Sequence, residues 1–232
     1  MVDLPERQIR YFLDMARDLD ARGLLACSCG NLSWRIDRER FLVSASRSWL
    51  GRLKAGELSL CRTADGALLA GARPSVETAF HAALLRTRPD WNVVLHHQSP
   101  AATAVTCGAL SPEDLAVIPE IPFYVGTIRR VAYRAPGSAA LHEAVADAGR
   151  DADFLLLENH GQATGGWDWE ETLQRAVFFE LACDILTREP KARRLPPDAI
   201  RELFEGGAAE RERCRRQRPG TLFEREAAMA GD

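Results

Sequence analysis

The chain has 232 residues, 46% hydrophobic and 27% charged, enough to bury one large core. Its net charge of -3 gives no general positive field to draw it to nucleic acid or an anionic membrane. No run approaches the roughly 18 apolar residues of a membrane span, and no basic segment precedes an apolar run at the N-terminus, so a cytoplasmic protein is expected. Six cysteines at irregular intervals read as reduced thiols, and Cys27-x-Cys29 has no second pair to complete a zinc site.

The first helix is marked by Ile9, Phe12, Leu13, Ala16 and Leu19, with Asp3 as its candidate cap, Pro5 in its first turn and Gly23 ending it. Residues 31–37 and 40–44 then read as a hairpin around a charged turn, and residues 57–62 and 67–69 as a second one around Ala64-Asp65-Gly66. From Ser75 the period becomes helical through Ala79, Phe80, Ala83 and Leu84, stopping at Arg88-Pro89. A buried strand over 91–97 ends in two histidines, and Ser99-Pro100 opens a helix reaching Val105. Residues 119–125 and 129–133 read as strands, 138–148 as a helix, 153–158 as a buried strand, and 168–188 as a long helix capped by Asp168. This mixed order predicts an α/β fold, a central and mainly antiparallel sheet with helices on both faces.

After Pro190 the composition shifts. Residues 1–190 are expected to form the main domain, and 191–232 an Arg-rich arm, partly disordered, with one short helix over 198–204. Arg211, Arg213, Arg215, Arg216 and Arg218 are diluted by Glu205, Glu210 and Glu212, which argues for a solvated arm and against a nucleic-acid contact.

Chemistry concentrates in three islands: Pro74-Ser75-Val76-Glu77, Leu95-His96-His97-Gln98-Ser99-Pro100 and Glu158-Asn159-His160-Gly161. Three of the five histidines lie there, beside a carboxylate, an inventory suited to a metal with an acid/base next to it. In extended backbone His96 and Gln98 share one face and His97 takes the other, so His96 and His160 are the metal candidates and Gln98 can add an amide oxygen. Presenting His97 instead requires a bulge. Glu77 falls at a helix start, where the dipole favours its ionised form. His81, one turn later, reads as a half-buried helix histidine within reach of Glu77. Gly30-Asn31 and Ser44-Ala45-Ser46-Arg47-Ser48 look like turn-based anion sites, and Arg73 and Ser75 join the same pocket if the loops converge.

With Gly30-Asn31-Leu32-Ser33 and Phe41-Leu42-Val43-Ser44-Ala45-Ser46, these islands stand in the order and spacing of the class II aldolase/adducin family. The chain resembles it over roughly residues 6 to 190. The resemblance implies an α/β/α sandwich, a homo-oligomer, commonly a tetramer with sites between subunits, and a divalent metal, usually zinc, held by three histidines. It places His96 and His160 on metal-ligand positions, Glu77 on the acid/base, and Asn31, Ser46 and Ser75 on a cradle for a small anionic substrate. Gln98 stands where the third metal histidine is expected, which shifts preference toward manganese, magnesium or iron. Arg47 stands where glycine is common, and Val76 replaces a second serine. An added guanidinium and a lost hydroxyl predict a substrate-binding Arg47 that prefers a planar carboxylate to a phosphate.

The expected activity is a metal-dependent lyase of the aldol type, acting through an enediolate on a small hydroxylated oxo-acid or sugar-derived anion. Dehydration, epimerisation and decarboxylation use the same enolate chemistry. An iron-dependent oxygenase and a non-catalytic adducin-like interaction module are the alternatives from other classes.

Overall fold

Strand alternation and helix periodicity meet in one sheet. In the computed structural model, which describes residues 2–218 and 220–221, the strands are β1 (Asn31–Arg35), β2 (Arg40–Ser44), β3 (Leu58–Arg62), β4 (Leu68–Gly71), β5 (Val93–His97), β6 (Ile128–Val131), β7 (Phe154–Leu157) and β8 (Gly161–Gly166). Their spatial order is β4-β3-β2-β1-β5-β8-β7-β6. Neighbours are antiparallel except β6 and β7, which are parallel. The helices are α1 (Glu6–Ala21), α2 (Thr78–Thr87), α3 (Pro100–Thr106), α4 (Ala139–Ala148), α5 (Trp169–Arg188) and α6 (Pro197–Gln217). The α/β/α sandwich expected from the sequence is the fold the chain adopts. No helix among the described residues is long and apolar enough to cross a membrane.

The pleat sorts the core. Leu32, Trp34, Val93 and Leu95 pack with Phe12, Ala16 and Leu19 of α1 on one face. Val94, Leu155 and Leu157 pack with Phe80 and Leu84 of α2 and Leu141 and Val145 of α4 on the other. Phe154 and Leu156 join Phe179 and Ala182 of α5 in a third cluster. Each fully buried Val, Leu or Phe side chain among them contributes about 1.5–3 kcal/mol. Continuing the alternation, His96 falls on the α2 face with Val94, and His97 on the opposite face with Leu95.

Four expectations need correction. Asp3 does not cap α1; Pro5 occupies that position, and no side chain caps the helix. Residues 119–125 are not a strand: Ile121–Val125 forms a π-helical turn closed by Gly126 at φ 84. Pro119 and Pro122 have no N–H to give a ladder, and the alternating Ile, Phe and Val misled the pattern. β8 was not expected, because Gly161, Gly165 and Gly166 leave it without an apolar stripe. It is a central strand all the same, and a Cβ at Gly161 would lie 2.7 Å from the His97 carbonyl, so the position requires glycine. Finally, the helix expected to stop at Phe204 runs to Gln217. Gly206-Gly207 do not end it: the Gly207 backbone packs so closely on the Phe123 carbonyl that no side chain fits. The arginines after it are partnered: Arg211 donates to the Phe123 carbonyl and Arg215 to Glu171. Residues 222–232, the end of the expected arm, lie outside the described residues.

Candidate metal centre and active site

Three chain segments deliver the polar groups to one end of the sheet. His96, the penultimate residue of β5, lies directly opposite Asn31 at the start of β1. The β7–β8 hairpin turn carries His160, aided by Asn159 in the left-handed region at φ 53. Glu77 precedes α2, its carbonyl accepting the first helical N–H groups from Phe80 and His81. Gly30, at φ 98, passes so close to β5 that a Cβ would sit 2.8 Å from the His96 carbonyl. That approach draws the β1 turn over the histidine.

Glu77, His96 and His160 offer ligand atoms that all lie within 4.8 Å of one another. His96 Nε2 is 3.4 Å from Glu77 Oε2, and His160 Nε2 is 3.3 Å from Glu77 Oε1. Two ligands of one tetrahedral zinc, each about 2.1 Å from it, lie about 3.4 Å apart, so the donor set fits a divalent ion. His96 Nδ1 donates to the Gln162 carbonyl at 2.8 Å, which leaves the Nε2 lone pair facing the pocket. Burial pushes His96 below its ordinary pKa, with Glu77 opposing, so the imidazole is held in its neutral, ligating form. Burial pushes the Glu77 carboxyl up, but the neighbouring His96, His160 and the Asn31 amide more than reverse it, holding it below the usual carboxylate range. Glu77 Oε2 accepts from Asn31 Nδ2 at 2.8 Å, whereas Oε1 and His160 Nδ1 are buried without a hydrogen-bond partner. An unbonded carboxylate oxygen in a buried cluster is an acceptor that a bound ion or substrate would satisfy.

Asn31, Ser46, Arg47, Ser75, Glu77, His96, Gln98 and His160 all line a single cavity of about 340 Å³. These eight sequence-selected residues are therefore brought together there, whereas Arg73, the further candidate, is not among the lining residues. The Ser46 and Ser75 loops are stitched side by side by the Ala45–Pro74 bridge and by Ser46 N–H donating to the Arg73 carbonyl at 2.9 Å. Arg47 adopts φ 63, a left-handed conformation that costs a non-glycine residue about 1 kcal/mol. The Gln98 amide N–H donates to the His160 carbonyl, tying the end of β5 to the histidine turn. Val76, 59% exposed, also lines this cavity beside Ser75 and Glu77. His97 is fully buried on the other face, edge-on to Phe154 with ring centres 6.2 Å apart. Burial lowers its pKa to about 3.

Two partners escaped the sequence reading. His81 is fully buried rather than half-buried, stacked on Phe80 at 4.7 Å. Its Nδ1 lies 2.7 Å from Ser33 Oγ and its Nε2 meets Asn31 Oδ1. Thus both ends of the Asn31 amide, expected in the anion cradle, are engaged by Glu77 and His81. The signal was present only in the pairing of β1 with β5, which puts Asn31 and Ser33 on the α2 face beside His96.

Residues 10–187 match the family model described as class II aldolase and adducin N-terminal domain. The chain belongs to this family. A 3-oxo-tetronate 4-phosphate decarboxylase of Haemophilus influenzae is 34% identical over 213 residues, spanning 89% of this chain and 100% of the relative. A methylthioribulose-1-phosphate dehydratase of Acidiphilium cryptum is 34% identical over 197 residues, spanning 80% and 93%. Among solved structures, YgbL of Klebsiella pneumoniae superimposes with a TM-score of 0.79 at 26% identity, covering 85% of this chain and 98% of that one. These relatives thus resemble the chain in sequence, and YgbL resembles it in fold.

Proposed function

We propose that this protein is a metal-dependent decarboxylase of a small phosphorylated 3-oxo acid, of the 3-oxo-tetronate 4-phosphate type. The observation that carries this reading is the match to the Haemophilus influenzae decarboxylase along that enzyme's whole length. The convergence of Glu77, His96 and His160 supplies the chemistry.

In a 3-oxo acid the carboxylate is one carbon removed from the ketone. When the C1–C2 bond breaks, CO2 leaves and the electron pair passes into an enolate across C2, C3 and the C3 oxygen. A divalent ion held by His96 and His160, with Glu77 and Gln98 beside them, would supply positive charge for the C3 oxygen and C2 hydroxyl as negative charge develops. Glu77, ionised at rest, would first take up a proton from solvent at Oε1 and then pass it to C2, where it replaces the departed carboxylate. Aldol cleavage and dehydration pass through the same kind of enolate, which accounts for relatives with those activities on one fold.

The expected preference of Arg47 for a carboxylate is revised on this reading. Gripping the group that must leave as CO2 would stabilise the ground state more than the transition state and slow the reaction. Arg47, with Ser46 and Ser75, is assigned to the phosphate instead. Purified protein supplied with 3-oxo-tetronate 4-phosphate and zinc, manganese, magnesium or iron in turn is expected to release CO2 with at least one metal. Cleavage of an aldol donor with no CO2 release from the 3-oxo acid would replace decarboxylase by aldolase.

A further inference from the structure

Glu77 Oε2 is held by a hydrogen bond while Oε1 has none and faces His160 Nε2 at 3.3 Å, and the reason lies behind the carboxylate. Asn31 Nδ2 lies 2.8 Å from Glu77 Oε2; Asn31 Oδ1 meets His81 Nε2; His81 Nδ1 lies 2.7 Å from Ser33 Oγ. Ser33 and His81 are fully buried, Asn31 and Glu77 nearly so, which leaves no water to rearrange the chain. An ionised carboxylate only accepts, so Asn31 must turn its NH2 to Glu77 and its oxygen to His81. His81 then carries its proton on Nε2 and accepts at Nδ1 from the Ser33 hydroxyl. Every polar hydrogen in the series points toward Glu77.

We propose that Ser33, His81 and Asn31 form a one-way hydrogen-bond chain that fixes Glu77 Oε2 and so selects Oε1 as the oxygen that handles the proton. His81 is thereby a positioning residue acting through Asn31. Phe80, stacked on its ring, and the β1–β5 pairing that sets Asn31 and Ser33 hold the chain in register. Flipping the Asn31 amide would put its oxygen against the carboxylate, freeing Glu77 to rotate and dividing the proton-transfer role between two oxygens. The kinetic half of this inference rests on the decarboxylase reading; the tautomer does not.

Two measurements test it. With 15N-labelled histidine, two-bond 15N–1H spectra of the wild-type protein should show His81 as the neutral Nε2–H tautomer, with a slowly exchanging ring N–H. An Nδ1–H tautomer or a doubly protonated ring would overturn the chain, whatever the substrate proves to be. Three variants then divide positioning from packing. His81→Gln keeps an N–H where Nε2 stood, His81→Asn keeps a polar group only at the Nδ1 side, and His81→Phe keeps neither. His81→Asn and His81→Phe are expected to lower kcat about 10- to 100-fold with KM and bound zinc near wild type, while His81→Gln stays within a few-fold. Equal losses in all three variants, or zinc lost in step with kcat, would reduce His81 to a core residue. Should wild type release no CO2 from any 3-oxo acid phosphate, the decarboxylase reading fails alone, and the tautomer still decides the positioning chain.

Discussion

The sheet carries a buried polar cluster at each end, and the two differ in how completely their charges are answered. At the far end, before β5 and β7 and after β8, Arg88 pairs with Asp90 at 2.8 Å and with Asp153 at 3.0 Å, while Arg175 pairs with Glu171 at 2.9 Å and with Asp153 at 3.2 Å. Arg215 from α6 closes on Glu171 at 2.9 Å. Guanidinium groups stay charged at any ordinary pH, and here each meets carboxylates in a forked, directional contact. At the opposite end one carboxylate meets two imidazoles, with Glu77 Oε1 and His160 Nδ1 left without hydrogen-bond partners. The far cluster has a single orphan, Arg175 Nε, in a ring of ion pairs. Burial of charge is common to both ends; an unbonded carboxylate oxygen and metal-type donors belong to one.

The largest effect expected from this contrast comes from Glu77→Gln. The amide keeps the shape but cannot take up and return the proton, so turnover should fall about 10²- to 10⁴-fold. The fold should be unchanged, because no ion pair outside the site depends on Glu77. Measured kcat within about tenfold of wild type would remove Glu77 from proton transfer and make the site end as structural as the far end.

Asp153→Asn is the mirror experiment. Burial pushes the Asp153 carboxyl up, but Arg175 and Arg88 outweigh it and hold its pKa below the ordinary value. A carboxylate with a lowered folded-state pKa stabilises the fold above the unfolded value of about 3.9, and that contribution is lost as pH falls through the lower, folded value. Removing the charge leaves two buried guanidinium groups under-compensated, so a loss of about 3 kcal/mol is expected at neutral pH. The gap between wild type and variant should stay constant down to about pH 5 and close below about pH 4. Denaturant titrations at several pH values measure it, and kcat/KM of the folded variant should be unchanged. A gap that does not vary with pH would mean that the lost hydrogen bonds, not the charge, account for it.

This comparison also shows what a linear sequence can reveal. The site end was legible because its polar residues cluster in short islands: the alternation at His96-His97-Gln98 sorts cavity-facing residues from the core residue without a structure. The sheet was legible wherever an apolar run marked a strand, as at residues 93–97 and 154–157. The far cluster was not, because Arg88, Asp153, the Glu171–Arg175 pair on α5 and Arg215 come from four separate places and each alone reads as a surface charge. The His81 chain was hidden for a related reason, since it depends on the register between β1 and β5. β8 and the long α6 were obscured by glycines whose purpose is close approach, at Gly161 and Gly207, and which composition reports as breaks.

The smallest expected effect lies on the cavity rim, where Arg47 joins the two kinds of behaviour in one residue. Its φ of 63 favours glycine, so Arg47→Gly relieves backbone strain of about 1 kcal/mol in the folded state. Glycine also gains entropy in the unfolded chain, which offsets roughly 0.5–1 kcal/mol of that relief. Stability should therefore change by less than about 1 kcal/mol. Substrate affinity should respond in the opposite sense: losing a guanidinium from beside Ser46 and Ser75 should raise KM for a phosphorylated substrate, with kcat nearly unchanged, because phosphate binding is shared by ground and transition states. Thermal unfolding and steady-state kinetics on the one variant measure both quantities. A fall in kcat at constant KM would place Arg47 against the departing carboxylate after all, and the phosphate would then have to be held by the serine loops alone.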